Sequence, residues 1–499
     1  MKKINPLIQN DFYKQGHFRM YNPGTTKIYS NITPRKSRIE GINHIVVFGV
    51  QYFIKEYLQT QWTEGFFNLP WEEVKNEYVR LISNTLGADA VSLDHIKKLH
   101  DLGYLPLEIK SLPEGSIVPI RVPFFTITNT VDHAYWLVNF LETIISTTLW
   151  QPCTSATLAY EFFKLAKKEE FETTGGNSFS QWGLHDFSLR GLSSLESGCL
   201  SGAAHLAVGI TGTDTIPAIQ FLEHYYNTRV EKELVGASVP ASEHSIMCLG
   251  YKEGEKETFE RLLNSYPNGI LSVVSDTWSL PNVIVNLLPQ LKDKVLARNG
   301  KLVIRPDSFW TDPVDAICGF DGYHPQMEKL NEAEKEMVRK GVVESLWDLF
   351  GGTVTSQGYK VLDSHIGAIY GDAITLERAK KIIDRLKAKG FASTNCVFGV
   401  GSYTYQYNTR DTFGFAIKAT YGVVDGEARE IFKDPVTDDG MKKSAKGLIK
   451  VYLGDDGNYH YKDCVTPEEE AKSELNVVFR NGRIYNETSL GEIRARLNK

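Results

Sequence analysis

LSVVSD (271–276), KLVIRPDS (301–308), IGAIYGD (366–372) and NCVFGVGS (395–402) share one pattern. Each is a short apolar run that ends in acids, an arginine or glycines. Stretches with helical spacing lie nearby, at 255–265, 283–292 and 376–389. Alternation of this kind predicts parallel strands, and their near-continuous apolar character predicts burial on both faces. The spacing from strand to strand is uneven, so the expected form is an irregular βα barrel.

Outside this region the texture differs. Residues 107–110 and 116–122, split by the turn Pro113-Glu114-Gly115, read as paired strands. Residues 134–150 and 155–170 have the length and spacing of two helices. After Arg410 antiparallel signals return, and YLGDDGNYHYKD (452–463) predicts a hairpin through Asp455-Asp456-Gly457. The expected fold class is therefore α/β. Residues 1–174 with 409–499 form an α+β domain whose antiparallel sheet is built from the N- and C-terminal parts, and 175–408 form the barrel. No repeat of solenoid or propeller length is visible.

Composition narrows the function. The chain has 499 residues, 42% hydrophobic and 23% charged, which excludes a disordered or collagen-like protein. With 55 basic against 61 acidic residues, the net charge of −6 disfavours a general nucleic-acid binder. The six cysteines stand at least 46 residues apart with no CxxC pair, so they read as free thiols of a reducing compartment. MKKINPLIQNDFYKQGH at the start has no apolar signal core, and IVVFGVQYFI (45–54) is too short to span a bilayer. A cytoplasmic protein with no nucleic-acid or membrane partner is expected.

Barrel chemistry sits at the C-terminal ends of the strands. Those ends carry Asp276, Arg305, Asp307, Asp372 and the turn of Gly399, Gly401 and Ser402. Singly, each would serve as a helix cap or loop ion pair. Together at successive strand ends they are costly to desolvate unless something binds there. Two further polar clusters are LHDFSLRG (184–191), with His185, Asp186, Phe187 and Arg190, and SVPASEHS (238–245), with Glu243 and His244. Asp214 lies in GITGTDT (209–215). No GxGxxG or Walker signature occurs. Paired carboxylates suit a glycosidase. Arg190 and Arg305 favour a phosphorylated sugar, because guanidinium groups match phosphate geometry. A binding module without turnover is the third reading.

These clusters, in this order, resemble the type II phosphoribosyltransferase family, in its nicotinamide-using branch. The motifs are DFYKQGH (11–17), FGVQY (48–52), LPLEIK (105–110), PEG (113–115), HDFSLRG, GTDT, SVPASEHS, SVVSD, IRPDS, YGD, NTRD (408–411) and FKDPV (432–436). The resemblance implies transfer of phosphoribose from phosphoribosyl pyrophosphate to nicotinamide in NAD salvage, and nicotinate is the competing base. It implies that Phe187 and the partner subunit's Tyr13 sandwich the pyridine ring, that Arg190 meets the carboxamide and phosphates, and that Asp214 accepts from the carboxamide. Arg305 and Asp307 would hold diphosphate and ribose hydroxyls, and Gly371 and Asp372 the ribose. Gly401, Ser402 and Arg410 would bind the 5′-phosphate, with Lys418 nearby. His244 would take a phosphoryl group from ATP, oriented by Glu243. Mg²⁺ is expected mainly on the diphosphate, with Asp276 or Asp307 as protein ligand, and a homodimer with shared sites is expected. The stretch between Asp307 and Gly371 exceeds that of the animal enzymes, and 327–349 reads as a surface insertion.

Overall fold

The computed structural model describes residues 5–433 and 445–498. The last three residues of FKDPV (434–436) lie outside them. Contacts divide the chain into two compact units. One comprises Leu158–Gln220 and Arg229–Tyr407; the other comprises Met1–Thr157, Phe221–Thr228 and Asn408–Lys499.

The first of these units contains six parallel strands: β1 (Leu184–Asp186), β2 (Gly212–Thr213), β3 (Leu271–Val274), β4 (Leu302–Arg305), β5 (Ile366–Tyr370) and β6 (Cys396–Val400). Their order across the sheet is β2-β1-β6-β5-β4-β3, with every neighbour pair parallel. All four residues of β3 and all five of β5 are buried, as a sheet covered on both faces requires. Helices such as Leu195–Ala207 and Leu376–Ala388 connect successive strands, and Ser194 and Thr375 cap them by accepting from Ser197 N and Arg378 N.

The two sheet edges are bridged by an extended segment that belongs to no regular strand. Ala237 bridges Gly212 of β2, and Ala241 bridges Ser272 of β3. Ala237 O accepts from Thr213 N at 3.0 Å, Pro240 O from Ser272 N at 2.9 Å, and Ser242 N donates to Ser272 O at 2.9 Å. Pro240 has no N–H to give, so this segment closes an irregular barrel without a continuous ladder. It carries SVPAS, the first half of the second polar cluster.

The stretch 327–349 is not confined to the surface. It folds into a helix, Glu332–Phe350, opened by a capping box between Asn331 and Glu334. Met337, Val338, Val342, Val343 and Leu346 are buried on it, and it packs on β5. Its apolar residues were hidden in the sequence by the interleaved Glu and Lys of its wet face.

The second unit holds a seven-stranded antiparallel sheet. Its order is Glu427–Glu430, Phe415–Val424, Thr25–Pro34, Phe125–Asn129, Leu107–Ser111, Asn476–Arg480, Arg483–Ile484, so N- and C-terminal parts interleave. Leu448–Leu453 and Tyr459–Val465 form the expected hairpin, with Gly457 at φ 75° in its turn. Two expectations fail. Residues 107–110 and 116–122 do not pair: Leu107–Ser111 lies between Phe125–Asn129 and Asn476–Arg480, and Ile117–Pro119 pairs with His44–Val46. The two expected helices are one, Glu142–Thr174, preceded by the short Leu137–Phe140. Pro152 lies inside it, where burial of Ile145, Leu149, Cys153 and Ala156 outweighs the one lost hydrogen bond. No described helix is long and apolar enough to cross a membrane.

Glu114 explains why the turn at 113–115 does not make a hairpin. Its side chain turns inward, 5% exposed, and accepts from Gln51 N at 2.6 Å and Gly49 N at 3.1 Å. The carboxylate thus caps the helix that starts at Val50, and Gly115, at φ 83°, lets the chain turn so that its N–H reaches Val47 O. Glu114→Ala strands two buried amides and should destabilise the protein by about 1–3 kcal/mol in chemical denaturation. Burial pushes the Glu114 carboxyl up to about 7 from an ordinary 4.5, against the hydrogen bonds from Gln51 and Gly49. A carboxyl raised in the folded state stabilises most at low pH. Its contribution should therefore fall as pH rises from about 4.5 to about 7, a slope that Glu114→Ala should lack.

Candidate active site

The carboxyl ends of the barrel strands open into a cavity of about 830 Å³. It is lined by Phe187, Arg190, Asp214, Ser242, Glu243, Arg305, Asp307, Gly371, Asp372, Gly401, Ser402 and Tyr403, among others. The structure thus gathers residues scattered between 187 and 403 into one space.

Phe187 follows β1, and its N–H donates to Val400 O at 2.9 Å. Its ring lies against two strand ends that have no side chains. A Cβ on Gly399 would meet Phe187 Cδ2 at 2.4 Å, and one on Gly371 would meet Cε2 at 3.0 Å. Gly399 of FGVGS and Gly371 of YGD are thus explained by an aromatic ring, whereas a Cβ on Gly401 would meet nothing within 4 Å. Asp186, fully buried, is structural: it accepts from Ser188 N at 2.9 Å, from Ser188 Oγ at 2.6 Å and from Thr213 Oγ1 at 3.3 Å.

Beside the ring, Asp214 Oδ1 accepts from His185 Nε2 at 2.9 Å and from Ser238 Oγ at 2.6 Å. Burial pushes this carboxyl up, but the two hydrogen bonds and the charges of His185 and Arg305 outweigh it and hold the group below the ordinary range.

The opposite wall is charged. Arg305 ends β4 with its side chain largely buried, and its Nη2 donates to Ser242 O at 3.0 Å. Its Nε has no hydrogen-bond acceptor and stands 3.9 Å from Asp307 Oδ1. Asp276 Oδ2 accepts from Asp307 N at 3.0 Å and Ser308 Oγ at 2.5 Å. Burial chiefly, with Asp276 and Asp372 close by, raises the Asp307 carboxyl against the pull of Arg305. His244 is half-exposed and its Nε2 comes 3.5 Å from Asp276 Oδ1, a buried oxygen with no hydrogen-bond partner. Glu243 turns elsewhere, accepting from Ser245 Oγ. Asp276, not Glu243, is the carboxylate that faces the histidine. No cluster of three or more His, Cys, Asp or Glu able to hold a metal exists among the described residues.

Tyr13, Arg410 and Lys418 belong to the other unit and do not line this cavity. Tyr13 is 57% exposed, with Lys14 Nζ 5.1 Å from its ring centre. The Arg410 side chain is also exposed, 3.6 Å from Asp411. Lys418 sits on Phe415–Val424 opposite Asn31, and its ammonium is lowered mainly by burial. Three residues at the site escaped the sequence reading. Ser242 holds Arg305 through a backbone carbonyl, Ser238 bonds Asp214, and Tyr403 sits at the rim stacked on Tyr407 with ring centres 4.8 Å apart. Only the position of the two serines within SVPAS could have hinted at them.

The sequence profile of the nicotinate phosphoribosyltransferase (NAPRTase) family matches residues 182–483, and that of the nicotinamide phosphoribosyltransferase N-terminal domain matches residues 5–109. A nicotinamide phosphoribosyltransferase of Acinetobacter baylyi is 48% identical over 507 residues, covering 99% of this chain and 97% of that one. One from Mycoplasma pneumoniae is 34% identical, over 90% of this chain and 97% of that protein. Two solved structures share the fold. Nicotinate-nucleotide pyrophosphorylase of Pyrococcus furiosus has a TM-score of 0.57 at 15% identity, covering 100% of this chain and 97% of that one. Human nicotinic acid phosphoribosyltransferase has a TM-score of 0.56 at 13% identity, covering 98% and 93%.

An arginine fixed by a carbonyl, with a spare buried N–H, is made for an anion. Pyrophosphate presented with Mg²⁺ should bind this cavity in titration calorimetry. Arg305→Ala should weaken it at least about tenfold, the low end for a charge-assisted hydrogen bond.

Proposed function

The chain belongs to the nicotinate phosphoribosyltransferase family, and on that footing we propose that it transfers phosphoribose from phosphoribosyl pyrophosphate to the ring nitrogen of nicotinamide. The products are nicotinamide mononucleotide and pyrophosphate, in the cytoplasmic salvage of NAD. One observation carries this reading. A single cavity sets an aromatic ring and an ionised carboxylate, Phe187 and Asp214, against a charged wall of Arg305, Asp307 and Asp372.

In the reaction the bond from the ribose anomeric carbon to the pyrophosphate oxygen breaks and a bond to the pyridine nitrogen forms. No proton moves, because that nitrogen carries a free lone pair. The protein's work is to align the two and to stabilise charge building on the leaving group. Phe187 stacks the base and Asp214 accepts from its carboxamide. Arg305 and Arg190 take the diphosphate. Asp307, Gly371 and Asp372 surround the ribose, and Gly401 and Ser402 the 5′-phosphate. Mg²⁺ fits this donor set: the unpartnered Asp276 Oδ1, with Asp307, offers the one or two carboxylates it needs beside substrate phosphates. When bound it would neutralise diphosphate charge. Two copies of the chain share each site on this reading, with Tyr13, Arg410 and Lys418 contributed to a cavity otherwise built from 187–403.

Incubation with phosphoribosyl pyrophosphate, Mg²⁺ and either base tests this. Nicotinamide mononucleotide should form, with kcat/KM at least about tenfold above that for nicotinate, whose carboxylate Asp214 repels. Equal use of both bases would sink the assignment of Asp214.

His244 is the group for ATP. With Nε2 facing Asp276, Nδ1 is the nucleophile that would receive the γ-phosphoryl group as ADP leaves. ATP hydrolysis should be abolished in His244→Ala while some ATP-independent transfer survives. An acid-labile phosphate that persists in the variant would overturn the assignment.

A further inference from the structure

His185 is used by nothing in the reaction as derived, yet it touches both groups that hold the base. Its ring centre is 4.9 Å from that of Phe187, at a 48° tilt, and its Nε2 bonds Asp214 Oδ1 at 2.9 Å. The ring has little freedom. His185 stands opposite Gly212 in the β1–β2 register, and a Cβ on Gly212 would come within 2.8 Å of His185 Nδ1. The imidazole therefore lies over bare backbone. Ser238, on the segment that closes the barrel, completes the arrangement: its Oγ is 2.6 Å from Asp214 Oδ1 and 3.4 Å from His185 Nε2.

Groups from two elements, β1 and the closing segment, thus converge on one oxygen. Oδ1 is saturated, whereas no hydrogen bond reaches Oδ2 from any described residue, and Asp214 lines the cavity. A carboxylate pinned this way has one acceptor oxygen left for a ligand.

We propose that His185 is a positioning residue for base choice: by engaging Oδ1 it turns Asp214 so that Oδ2 meets an amide N–H, and it selects the amide over the acid. The proposal rests on the transfer reading above. It extends that reading from the carboxylate to the group that controls the carboxylate. The bond to His185 is also among the forces that keep Asp214 ionised against burial. The other charged groups facing this pair are Arg305 on β4, Asp186 on β1, and His205 on the helix Leu195–Ala207. Burial lowers His205 to about 4, so it stays neutral across the physiological range. Without His185 the carboxylate is held by Ser238 alone and can turn away from the amide, which weakens the contact that tells amide from acid.

The test measures kcat/KM for nicotinamide and nicotinate at neutral pH. It compares wild type, His185→Ala and His185→Gln. In His185→Ala the preference for nicotinamide should fall at least about tenfold, while kcat at saturating nicotinamide stays within about threefold. His185→Gln, whose amide N–H can reach the same oxygen, should restore the preference. A preference that stays at the wild-type value in His185→Ala overturns the proposal, as does an equal loss of kcat with both bases. So does a His185→Gln protein that folds but discriminates no better than His185→Ala. If wild type makes no nucleotide from either base, the transfer reading itself fails and takes the proposal with it. A discriminating wild type with an unaffected His185→Ala removes the proposal alone.

Discussion

The ring of Phe187 occupies space that side chains of β5 and β6 would otherwise fill, and the cavity depends on that exclusion. Gly371 and Gly399 bring bare backbone to the strand ends, so the ring can lie against them. With the ring seated there, one wall of the cavity is a fixed apolar plate, and everything polar must come from neighbouring strands. Asp214 enters from beyond β2, Arg305 from β4 and Asp372 from beyond β5, so the site samples most of the barrel rim. This dispersal is characteristic of barrel chemistry, where many strand ends each contribute one group to a common space.

The second requirement is closure. Six parallel strands leave two open edges, and unpaired edges are both a liability and a gap in the cavity wall. The segment around Pro240 bonds to β2 on one side and β3 on the other. It does more than cover the edges. Ser238 bonds Asp214, the Ser242 carbonyl fixes Arg305, and Ser242 Oγ accepts from Val274 N at 2.9 Å. The base side and the phosphate side are therefore set by one irregular stretch of five residues.

The parallel strands and their chemistry were legible because a buried apolar run that ends in charge is costly to fold unless the charge has work at the strand end. Asp276, Arg305, Asp307 and Asp372 stood out as polar groups at the ends of such runs. Ser238 and Ser242 did not, because their roles come from strand pairing and from a backbone carbonyl, neither of which has a sequence signature. The turn Pro113-Glu114-Gly115 misled for a related reason. Local turn chemistry is the same whether the flanking strands pair with each other or with distant partners, and the inward-facing Glu114 belongs to tertiary structure. The helical stretch Glu332–Phe350 was placed on the surface because Glu and Lys are interleaved with its buried residues, which continue past a kink at Gly341, where φ is 80°.

The electrostatics of the phosphate side carry one more consequence. Asp276 and Asp372 stand close enough to Asp307 to raise its carboxyl, and the largely buried Arg305 cation lies beside it. An anion arriving alone would meet more negative than positive charge. A diphosphate substrate suits such a wall on two conditions. Its own charge must be partly neutralised on arrival, and its hydroxyls must face the aspartates while its phosphates face the arginine. The ribose of phosphoribosyl pyrophosphate supplies donors for the first group and the diphosphate supplies acceptors for the second. Acceptor-rich and donor-rich faces lie side by side in this cavity, and that mixture distinguishes a sugar-phosphate site from a simple anion hole.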